Sequence, residues 1–527
     1  MERKDSQQFN EIKWEPFLCR VALFITFMLS WASFVFTPMT GDIKVFLASA
    51  NQSSYISDNL IVGAFKAWEL KGVLSRTFMY LIYKISCCFV SFPSCSFEIC
   101  CKFAYSLIII SASFASMKLW FGHWERKVSF RLLAETMAVS AAFMTPHTSC
   151  HMQVEMTCSL LALLSFSLYV NAVETNQNLG LKLIFVGIMV GMLFYFKSVL
   201  ILLSLVLLVA ACIYHLENNT AILIKRITVV ALGAVITLFA ILVLILIINP
   251  SELQDMLDAS VFQSTLFTTS DSILKILLKA SRYHIKNIFF LPAVLIGIIC
   301  FVVNLQWDMR RKNYKQILLH FIMWLMGFLF IALSNQYFPY HFTVYLFPSL
   351  FEIYCALNKH GYAKLSKLKF LKIGVLCLVA IYGLLSFRFA YACFKCNLES
   401  YQDTVELLAK IDYDHDAEMM YLDAGTGAYY LGNVSYLKHY FPLPLQRLNE
   451  ESSLPSHVDS LTAAMNYHGK YISLHEGWFF QRDNYQSLKE KIESEYHYVG
   501  SYSSFSPPFS FCVSHVRMGK IALYVKN

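Results

Sequence analysis

The sequence predicts a polytopic α-helical membrane protein that ends in an extracytoplasmic α/β domain. Three observations support this prediction: the composition, the distribution of basic residues, and a late change from apolar to polar sequence. Of 527 residues, 57% are hydrophobic and only 15% are charged. A soluble domain of this length and composition would expose large apolar patches. We therefore expect most of the chain to lie in a lipid bilayer.

Apolar runs that are long enough to span a bilayer recur along the chain. The first covers about residues 17–36 and has no small-residue cleavage site, so we interpret it as a retained helix. Further runs of about 15 to 24 residues bring the expected number of transmembrane helices to about eleven, although the shorter ones are alternatively halves of a broken span. These runs lie at about 102–121, 132–146, 153–172, 181–196, 198–215, 226–249, 285–305, 316–334, 341–357 and 370–392.

The segment 38–98, between the first two runs, is only patchily apolar. It contains aromatic and basic side chains such as Trp68, Arg76 and Tyr83. Amphipathic pieces of this composition lie in the plane of the membrane interface. We therefore expect juxtamembrane helices in 38–98.

Basic residues mark one side of the membrane. They gather in the loops after even-numbered runs, for example at Arg126–Lys127, Lys225–Arg226 and Arg310–Lys312. Because cytoplasmic loops are enriched in Lys and Arg, we expect a cytoplasmic amino terminus and a carboxyl terminus outside. This topology accounts for the net charge of +8, so we expect no nucleic-acid partner. The expected location is a bacterial inner membrane; in a eukaryote the outer side would be the lumen of the endoplasmic reticulum.

The composition changes from apolar to polar after about Tyr391. We therefore divide the chain into a transmembrane domain, 1–392, and an extracytoplasmic domain, 393–527. Strand-like and helix-like stretches alternate in the second domain, which is typical of a small α/β domain. The strand-like runs are Met419–Leu422, Lys470–Leu474, Tyr496–Val499 and Ile521–Val525, and the helix-like stretches are Tyr401–Ile411 and Asn484–Ser494.

Cysteines and acidic pairs give no sign of a metal site. Many of the 15 cysteines lie in or beside apolar runs, where a thiol behaves as a small hydrophobe. A disulfide between outer cysteines, such as Cys393 and Cys396, remains open. Asp412, Asp414 and Asp416 lie in the polar tail and are interpreted as solvated loop charges. We expect neither a metal ion nor a cofactor.

Three charged residues lie at span ends that are predicted to face outside. Asp42 follows the first span in GDIKVF, Glu155 opens the fourth, and Lys197 lies between the fifth and sixth. Such charges are costly in a membrane unless they are paired or face a polar cavity. Asp42 is either an interfacial charge that ends a helix or a group that acts on a substrate. Lys197 either snorkels at an outer turn or holds a phosphate, and Glu155 alternatively forms an ion pair with a neighbouring helix.

A short outer loop, 334–342, is dense in aromatic side chains that can form hydrogen bonds. It contains Tyr337, Tyr340 and His341. These side chains belong either to the aromatic belt at the membrane surface or to a site that donates to a substrate headgroup.

These motifs together resemble the GT-C superfamily of integral-membrane glycosyltransferases. The shared features are the acidic residue after the first span, the second acidic residue at the fourth, the GMLFYFK stretch, the FPYHF loop and the terminal α/β domain. The resemblance is greatest to the branch that uses polyprenyl-phosphate sugars, which includes protein O-mannosyltransferases and the aminoarabinose transferase that modifies lipid A.

The resemblance implies a role for each matching position. Asp42 corresponds to the catalytic base or acceptor-orienting group, and Glu155 to a second acidic residue of the same cavity. Lys197 corresponds to a lysine that contacts the donor phosphate, and Tyr340 and His341 to donor-headgroup contacts. The chain departs from the pattern in two places, since Asp42 has no acidic neighbour and Lys197 is followed by serine.

The chemistry of such a transfer is consistent with these residues. A lipid phosphate leaving group needs neutralisation, which Lys197 together with Arg76 or Arg282 would supply, and an acceptor hydroxyl needs a carboxylate that takes its proton. We expect Tyr337 and His151 to complete the headgroup cavity.

The predicted protein is therefore a glycosyltransferase that moves a sugar from a polyprenyl-phosphate donor to a saccharide, lipid or protein acceptor. We expect inversion at the anomeric carbon, because direct displacement needs no second carboxylate as nucleophile. The expected site is the outer face of the cytoplasmic membrane, among membrane lipids. The alternative from another class is a transporter or flippase of a lipid-linked saccharide, which would place charges near mid-membrane.

Overall fold

The computed structural model is mostly helical and ends in a small sheet. It describes residues 14–39, 41–66, 72–121, 130–144, 152, 154–196, 219–254, 256, 272–288, 291–334, 342, 344–365, 369–414, 417–422, 455–474, 485–505 and 518–527. The helices before the sheet are α1 (Trp14–Phe36), α2 (Gly41–Ile56), α3 (Leu60–Lys66), α4 (Val73–Cys87), α5 (Cys95–Phe121), α6 (Phe130–Phe143), α7 (Val154–Thr175), α8 (Leu179–Phe196), α9 (Thr220–Ile248), α10 (Ile273–Ile288), α11 (Pro292–Arg310), α12 (Tyr314–Ser334), α13 (Leu346–Leu365) and α14 (Lys369–Lys410).

Five helices in the described ranges are long and apolar enough to cross a membrane. They are Cys95–Trp120, Val154–Thr175, Leu179–Phe196, Thr220–Ile248 and Ala293–Arg310. The chain thus has the helices of an integral membrane protein. The count of about eleven spans stays a prediction, and the run expected at about 198–215 lies outside the described residues. Between the first two expected spans, helices α2, α3 and α4 occupy much of 38–98, where juxtamembrane helices were predicted.

Helices α8 and α9 pack so closely that their backbones touch. A Cβ atom on Gly187 would lie 2.1 Å from the carbonyl oxygen of Val230. Glycine removes the side chain that would otherwise separate the two helices, as it does at many helix contacts in membranes. This contact fixes α8, whose last residue, Phe196, precedes Lys197.

Several helix ends lie together at one end of the bundle, here called the α2 end. Ring contacts and one hydrogen bond join them. The ring of Tyr105 in α5 stacks on Phe34, near the end of α1, with centroids 6.1 Å apart. Its hydroxyl lies 2.8 Å from the hydroxyl of Thr157, in the first turn of α7. The ring of Phe78 in α4 bridges Tyr105 and Phe196, at 5.7 and 6.3 Å. The last turns of α1 and α8 and the first turn of α7 therefore lie together.

A cluster of four buried polar side chains ties α11, α12 and α13 together. The ring of His320 lies between two carboxylates, with Nδ1 2.8 Å from Glu352 Oε1 and Nε2 3.3 Å from Asp308 Oδ2. Asn304 donates to Glu352 Oε2 at 2.8 Å. All four side chains are buried, so each depends on its partners in place of water.

The composition change near residue 393 falls inside one continuous helix. Helix α14 is 42 residues long and runs without a break through this position. Its first half packs on α1, where Ser33 Oγ donates to the carbonyl of Ser386 at 3.0 Å, and its second half packs on the sheet. Cys393 and Cys396 are free thiols within it. The division of the chain into two domains at this point stays a prediction.

The remaining elements form a four-stranded sheet with helices beside it. Strand order is β1-β2-β4-β3, with β1 and β2 parallel and the other pairs antiparallel. Successive residues of β1 face opposite sides: Met419 belongs to the apolar cluster that includes Leu407 of α14, and Met420 to the cluster that includes Leu488 of α16. The elements are β1 (Met419–Tyr421), α15 (Pro455–Met465), β2 (Tyr471–Leu474), α16 (Gln486–Glu495), β3 (Tyr496–Phe505) and β4 (Met518–Lys526).

Candidate active site

Asp42 is the second residue of α2, only a few residues after α1 ends at Phe36. Its backbone is helical, and its side chain lies outside what the structure describes. The first turn of a helix carries partial positive charge, which favours a carboxylate there. The position therefore suits an ionised aspartate at the α2 end of the bundle.

The turn that carries Asp42 is anchored by three buried charged side chains and one buried amide, here called the junction cluster (Lys44, Glu98, Lys102 and Asn397). Lys44 Nζ lies 3.4 Å from Glu98 Oε1 and donates to Asn397 Oδ1 at 3.0 Å. Asn397 Nδ2 donates to Glu98 Oε1 at 3.3 Å. These contacts join α2, α5 and α14, so the cluster positions the start of α2 against two other helices.

Two of these side chains also hold the linker between α1 and α2. Glu98 Oε2 accepts a hydrogen bond from the backbone nitrogen of Met39 at 2.9 Å, and the ammonium group of Lys102 donates to the carbonyl oxygen of Thr37. Sequence reasoning missed both Glu98 and Lys102. A signal was present, because charged residues four apart at the start of an apolar run are costly without a partner.

A small pocket lies between α2 and α4. Its α2 wall uses positions 46, 49, 50 and 53, which share one stripe of the helix because they repeat every three or four residues. Residue 42 is four residues before Phe46 and so belongs to the same stripe. The lining residues are Phe46, Ser49, Ala50, Ser53, Ser75, Arg76 and Met79. Three buried serines and one guanidinium supply polar groups to this lining, beside the apolar side chains of the other residues.

Arg76 lines this pocket and also forms a buried ion pair. Its Nη2 contacts Glu252 Oε1, and both side chains are less than 5% exposed. Glu252 follows α9, and the amide of Asn249 anchors that segment by donating to the carbonyl of Phe65 at 2.9 Å. Arg76, which was predicted to bind the donor phosphate, thus has a carboxylate partner that the sequence did not indicate. Nothing local in the sequence joins two residues 176 positions apart.

The start of α4 meets the end of α8. A Cβ atom on Gly72 would lie 2.0 Å from the carbonyl oxygen of Tyr195, so the two backbones are in contact. Arg76 begins the next turn of α4. Lys197 itself lies outside the described residues. The residue before it, Phe196, ends α8 beside α4, the helix that carries Arg76.

Glu155 lies in the first turn of α7, and its side chain is buried. Its backbone carbonyl accepts a hydrogen bond from Ser159 Oγ at 2.8 Å. Two residues further on, Thr157 makes the contact with Tyr105 that places this turn at the α2 end. The first turn of α7, which carries Glu155, therefore lies beside the last turn of α1, a few residues before Asp42 in the chain.

The other predicted residues lie elsewhere or outside the described ranges. Arg282 is exposed on α10, which packs against α12. Outside the described residues are His151, Tyr337, Tyr340 and His341. In the part of the chain that the structure describes, no group of three or more His, Cys, Asp or Glu could hold a metal ion. The expectation of no metal and no cofactor stays a prediction.

One tyrosine completes the contact between α2 and α4. Tyr83 donates its hydroxyl to Asn51 Oδ1 at 2.6 Å. Burial raises the pKa of Tyr83 above its ordinary value, so the hydroxyl stays protonated and keeps donating across the physiological pH range. This bond stabilises the packing of the two helices that form the pocket.

The fold and the site together define a class of protein. It is a polytopic helical membrane protein with a small pocket, lined by serines and an arginine, beside the helix that follows its first apolar helix, and with a sheet after its last long helix. Over 97% of its length the chain is similar to the crystal structure of ArnT from Cupriavidus metallidurans bound to undecaprenyl phosphate, with a TM-score of 0.54, 14% sequence identity and 98% of that chain covered.

A second similar structure is the oligosaccharyltransferase of Archaeoglobus fulgidus in its apo form. It has a TM-score of 0.49 and 12% identity over 98% of this chain and 77% of that chain. No protein-family model matches the sequence, and no curated protein is similar to it by sequence. The resemblance found in the sequence is confirmed at the level of fold, since the chain has the fold of ArnT.

Proposed function

We propose that the protein is an integral-membrane glycosyltransferase that takes a sugar from a polyprenyl-phosphate donor. The observation that supports it most directly is the small pocket between α2 and α4, which Arg76 and three serines line beside the stripe of α2 that begins at Asp42, in a chain with the GT-C fold. The structurally similar ArnT was crystallised with undecaprenyl phosphate, a lipid phosphate of the kind that such a donor would release. The acceptor is a saccharide, a lipid or a protein.

Asp42 acts as the base in this proposal. Its carboxylate takes the proton of the acceptor hydroxyl as the acceptor oxygen bonds to the anomeric carbon. The bond from that carbon to the phosphate oxygen breaks, and the lipid phosphate leaves with the electron pair. A single displacement of this kind inverts the anomeric configuration. Glu155, at the same end of the bundle, is the second acidic residue of the cavity.

The cations and hydroxyls beside the pocket suit the donor headgroup. Lys197 and Arg76 neutralise the leaving phosphate, and Arg76 does so by releasing or sharing its contact with Glu252. The buried hydroxyls of Ser49, Ser53 and Ser75 are hydrogen-bond partners for the sugar. The aromatic loop that contains Tyr337, Tyr340 and His341, with His151, completes the headgroup contacts.

The proposal also includes the setting of the reaction. The enzyme resides in the inner membrane of a bacterium, with its amino terminus in the cytoplasm and its carboxyl-terminal part outside. The sugar is transferred on the outer face, where Asp42 follows the first span.

The test is transfer by the purified, reconstituted protein with a panel of polyprenyl-phosphate sugars, measured as released lipid phosphate. Asp42→Asn should lower the rate by about 100-fold or more, because it removes the base. Asp58→Asn, which alters a fully exposed carboxylate shortly after α2, is the matched control and should retain activity. Full activity in Asp42→Asn refutes the site, and movement of the intact donor across the membrane without its consumption favours a transporter.

A further inference from the structure

Helix α10 exposes apolar and basic side chains at the same time. Ile273, Leu274, Leu278 and Ile285 are 78%, 68%, 63% and 66% exposed. Apolar surface of this extent on one short helix is not stable against water. Any partner that covers this helix must therefore make favourable contacts with apolar side chains.

The side chains of α10 divide into three faces. Ala280 and His284, one turn apart, are buried, and the ring of His284 lies 4.6 Å from that of Phe328 in α12. At 100° per residue, the exposed Leu274, Leu278 and Ile285 occupy a second sector, whereas Ile273 falls on the same stripe as Ala280 and His284. The basic residues Lys275, Lys279 and Arg282 are exposed in a third sector, and the helix contains no Asp or Glu.

The length and position of α10 indicate how it meets a bilayer. It has 16 residues, hence a length of about 24 Å, and falls short of the roughly 20 residues that a spanning helix needs. Its partner Phe328 is six residues before the end of α12. A helix with one protein face, one apolar face and one basic face at the end of an apolar helix fits the plane of the interface.

We infer that α10 is a docking surface for anionic phospholipids of the bilayer, whose phosphates contact Lys275, Lys279 and Arg282 while the apolar face enters the acyl region. Charge complementarity favours this occupant, since the helix has no acidic residue. The three basic residues extend over seven positions, about 10 Å along the helix, so they match a row of headgroups better than one phosphate. In this inference Arg282 therefore contacts the phosphates of bulk phospholipids and not the phosphate of the sugar donor.

The experiment measures lipids retained by the full-length protein in native mass spectrometry. The protein is titrated with phosphatidylglycerol, with phosphatidylcholine and with undecaprenyl phosphate. The variant K275Q/K279Q/R282Q should lose its preference for phosphatidylglycerol by up to about 100-fold, at about fivefold for each charge removed. K410Q/K470Q/K520Q removes three exposed charges from the sheet region and should keep the preference.

Each other outcome contradicts the inference. If the α10 variant and the sheet variant prefer phosphatidylglycerol equally, α10 is excluded as the docking surface. If the α10 variant loses only its binding of undecaprenyl phosphate, the three basic residues bind the sugar donor instead. The variant K275R/K279R/R282K keeps all three charges and should bind phosphatidylglycerol as the parent does. Loss of that preference in this conservative variant, with folding verified by thermal unfolding, also overturns the inference.

Discussion

Glu98 Oε2 accepts a hydrogen bond from the backbone nitrogen of Met39 at 2.9 Å, across 59 residues of sequence. The same carboxylate lies 3.4 Å from the ammonium group of Lys44. One buried side chain of α5 therefore holds both the linker before α2 and the first turn of α2. Asp42 lies between these two points of attachment.

Replacing Glu98 should destabilise the protein and misplace Asp42. Glu98→Ala leaves Lys44 buried without its carboxylate, and breaking a buried pair in this way costs about 3–5 kcal/mol. Glu98→Gln keeps an acceptor for Met39 and should cost less. Thermal unfolding in detergent measures the stability, and the control is Glu399→Ala, which removes an exposed carboxylate of α14. Equal melting temperatures for the parent and Glu98→Ala would contradict the anchoring role.

The Arg76–Glu252 pair can be tested by a double-mutant cycle. Arg76→Gln should raise KM for the donor by about tenfold, the effect of losing roughly 1.4 kcal/mol of phosphate binding. Glu252→Gln frees the guanidinium and should lower KM while it lowers stability. The double variant should recover stability without recovering donor affinity. If Arg76→Gln leaves KM unchanged, Arg76 has a structural role only.

Lys197→Ala should lower kcat/KM for the donor more than it lowers stability. The ammonium group is proposed to neutralise the leaving phosphate, and one such charge-assisted contact contributes about 1.5–3 kcal/mol. The matched control is Lys84→Ala, which alters the partly exposed partner of Asp58 on α4. Release of lipid phosphate under single-turnover conditions is the measurement. Unchanged single-turnover rates in Lys197→Ala would remove this lysine from the site.

Filling the pocket between α2 and α4 should block the reaction. Ser49→Leu adds bulk on the stripe that faces Ser75 and Arg76, and overpacking of this kind costs only about 1–3 kcal/mol. Ser54→Leu makes the same change on α2 outside the pocket lining and is the control. Transfer and donor binding are compared with the melting temperature of each variant. Normal donor binding by a folded Ser49→Leu protein would show that the donor does not use this pocket.

His320 should matter for stability and not for transfer. His320→Ala removes the ring that contacts the buried carboxylates of both Asp308 and Glu352, which costs about 3–5 kcal/mol. The folded fraction should keep the specific activity of the parent. Asp308, His320 and Glu352 lie on α11, α12 and α13, and none of them lines the pocket between α2 and α4. The measurement is transfer per folded molecule. A loss of specific activity at full stability would contradict this assignment.

Local patterns predicted several elements well. Strands occur at the four strand-like runs, because a short run of apolar and aromatic residues is legible over a few positions. The boundary expected at 393 was drawn from polarity and stays a prediction. Helix α14 runs through this position, since backbone hydrogen bonding of a helix does not depend on side-chain polarity. Lys44, beside Asp42 in GDIKVF, is fully buried and belongs to the junction cluster, which its place in the sequence does not reveal.

The sequence by itself determined the membrane class of this protein, the placement of its apolar helices and the candidate acid at Asp42, because apolar runs and the charges that interrupt them are local properties. Only the tertiary structure decided which charges are partners. Lys44 meets Glu98 and Arg76 meets Glu252 because α2 packs beside α5, and α4 beside the segment after α9. Burial makes each such charge depend on the neighbour that packing supplies, and that neighbour lies many residues away.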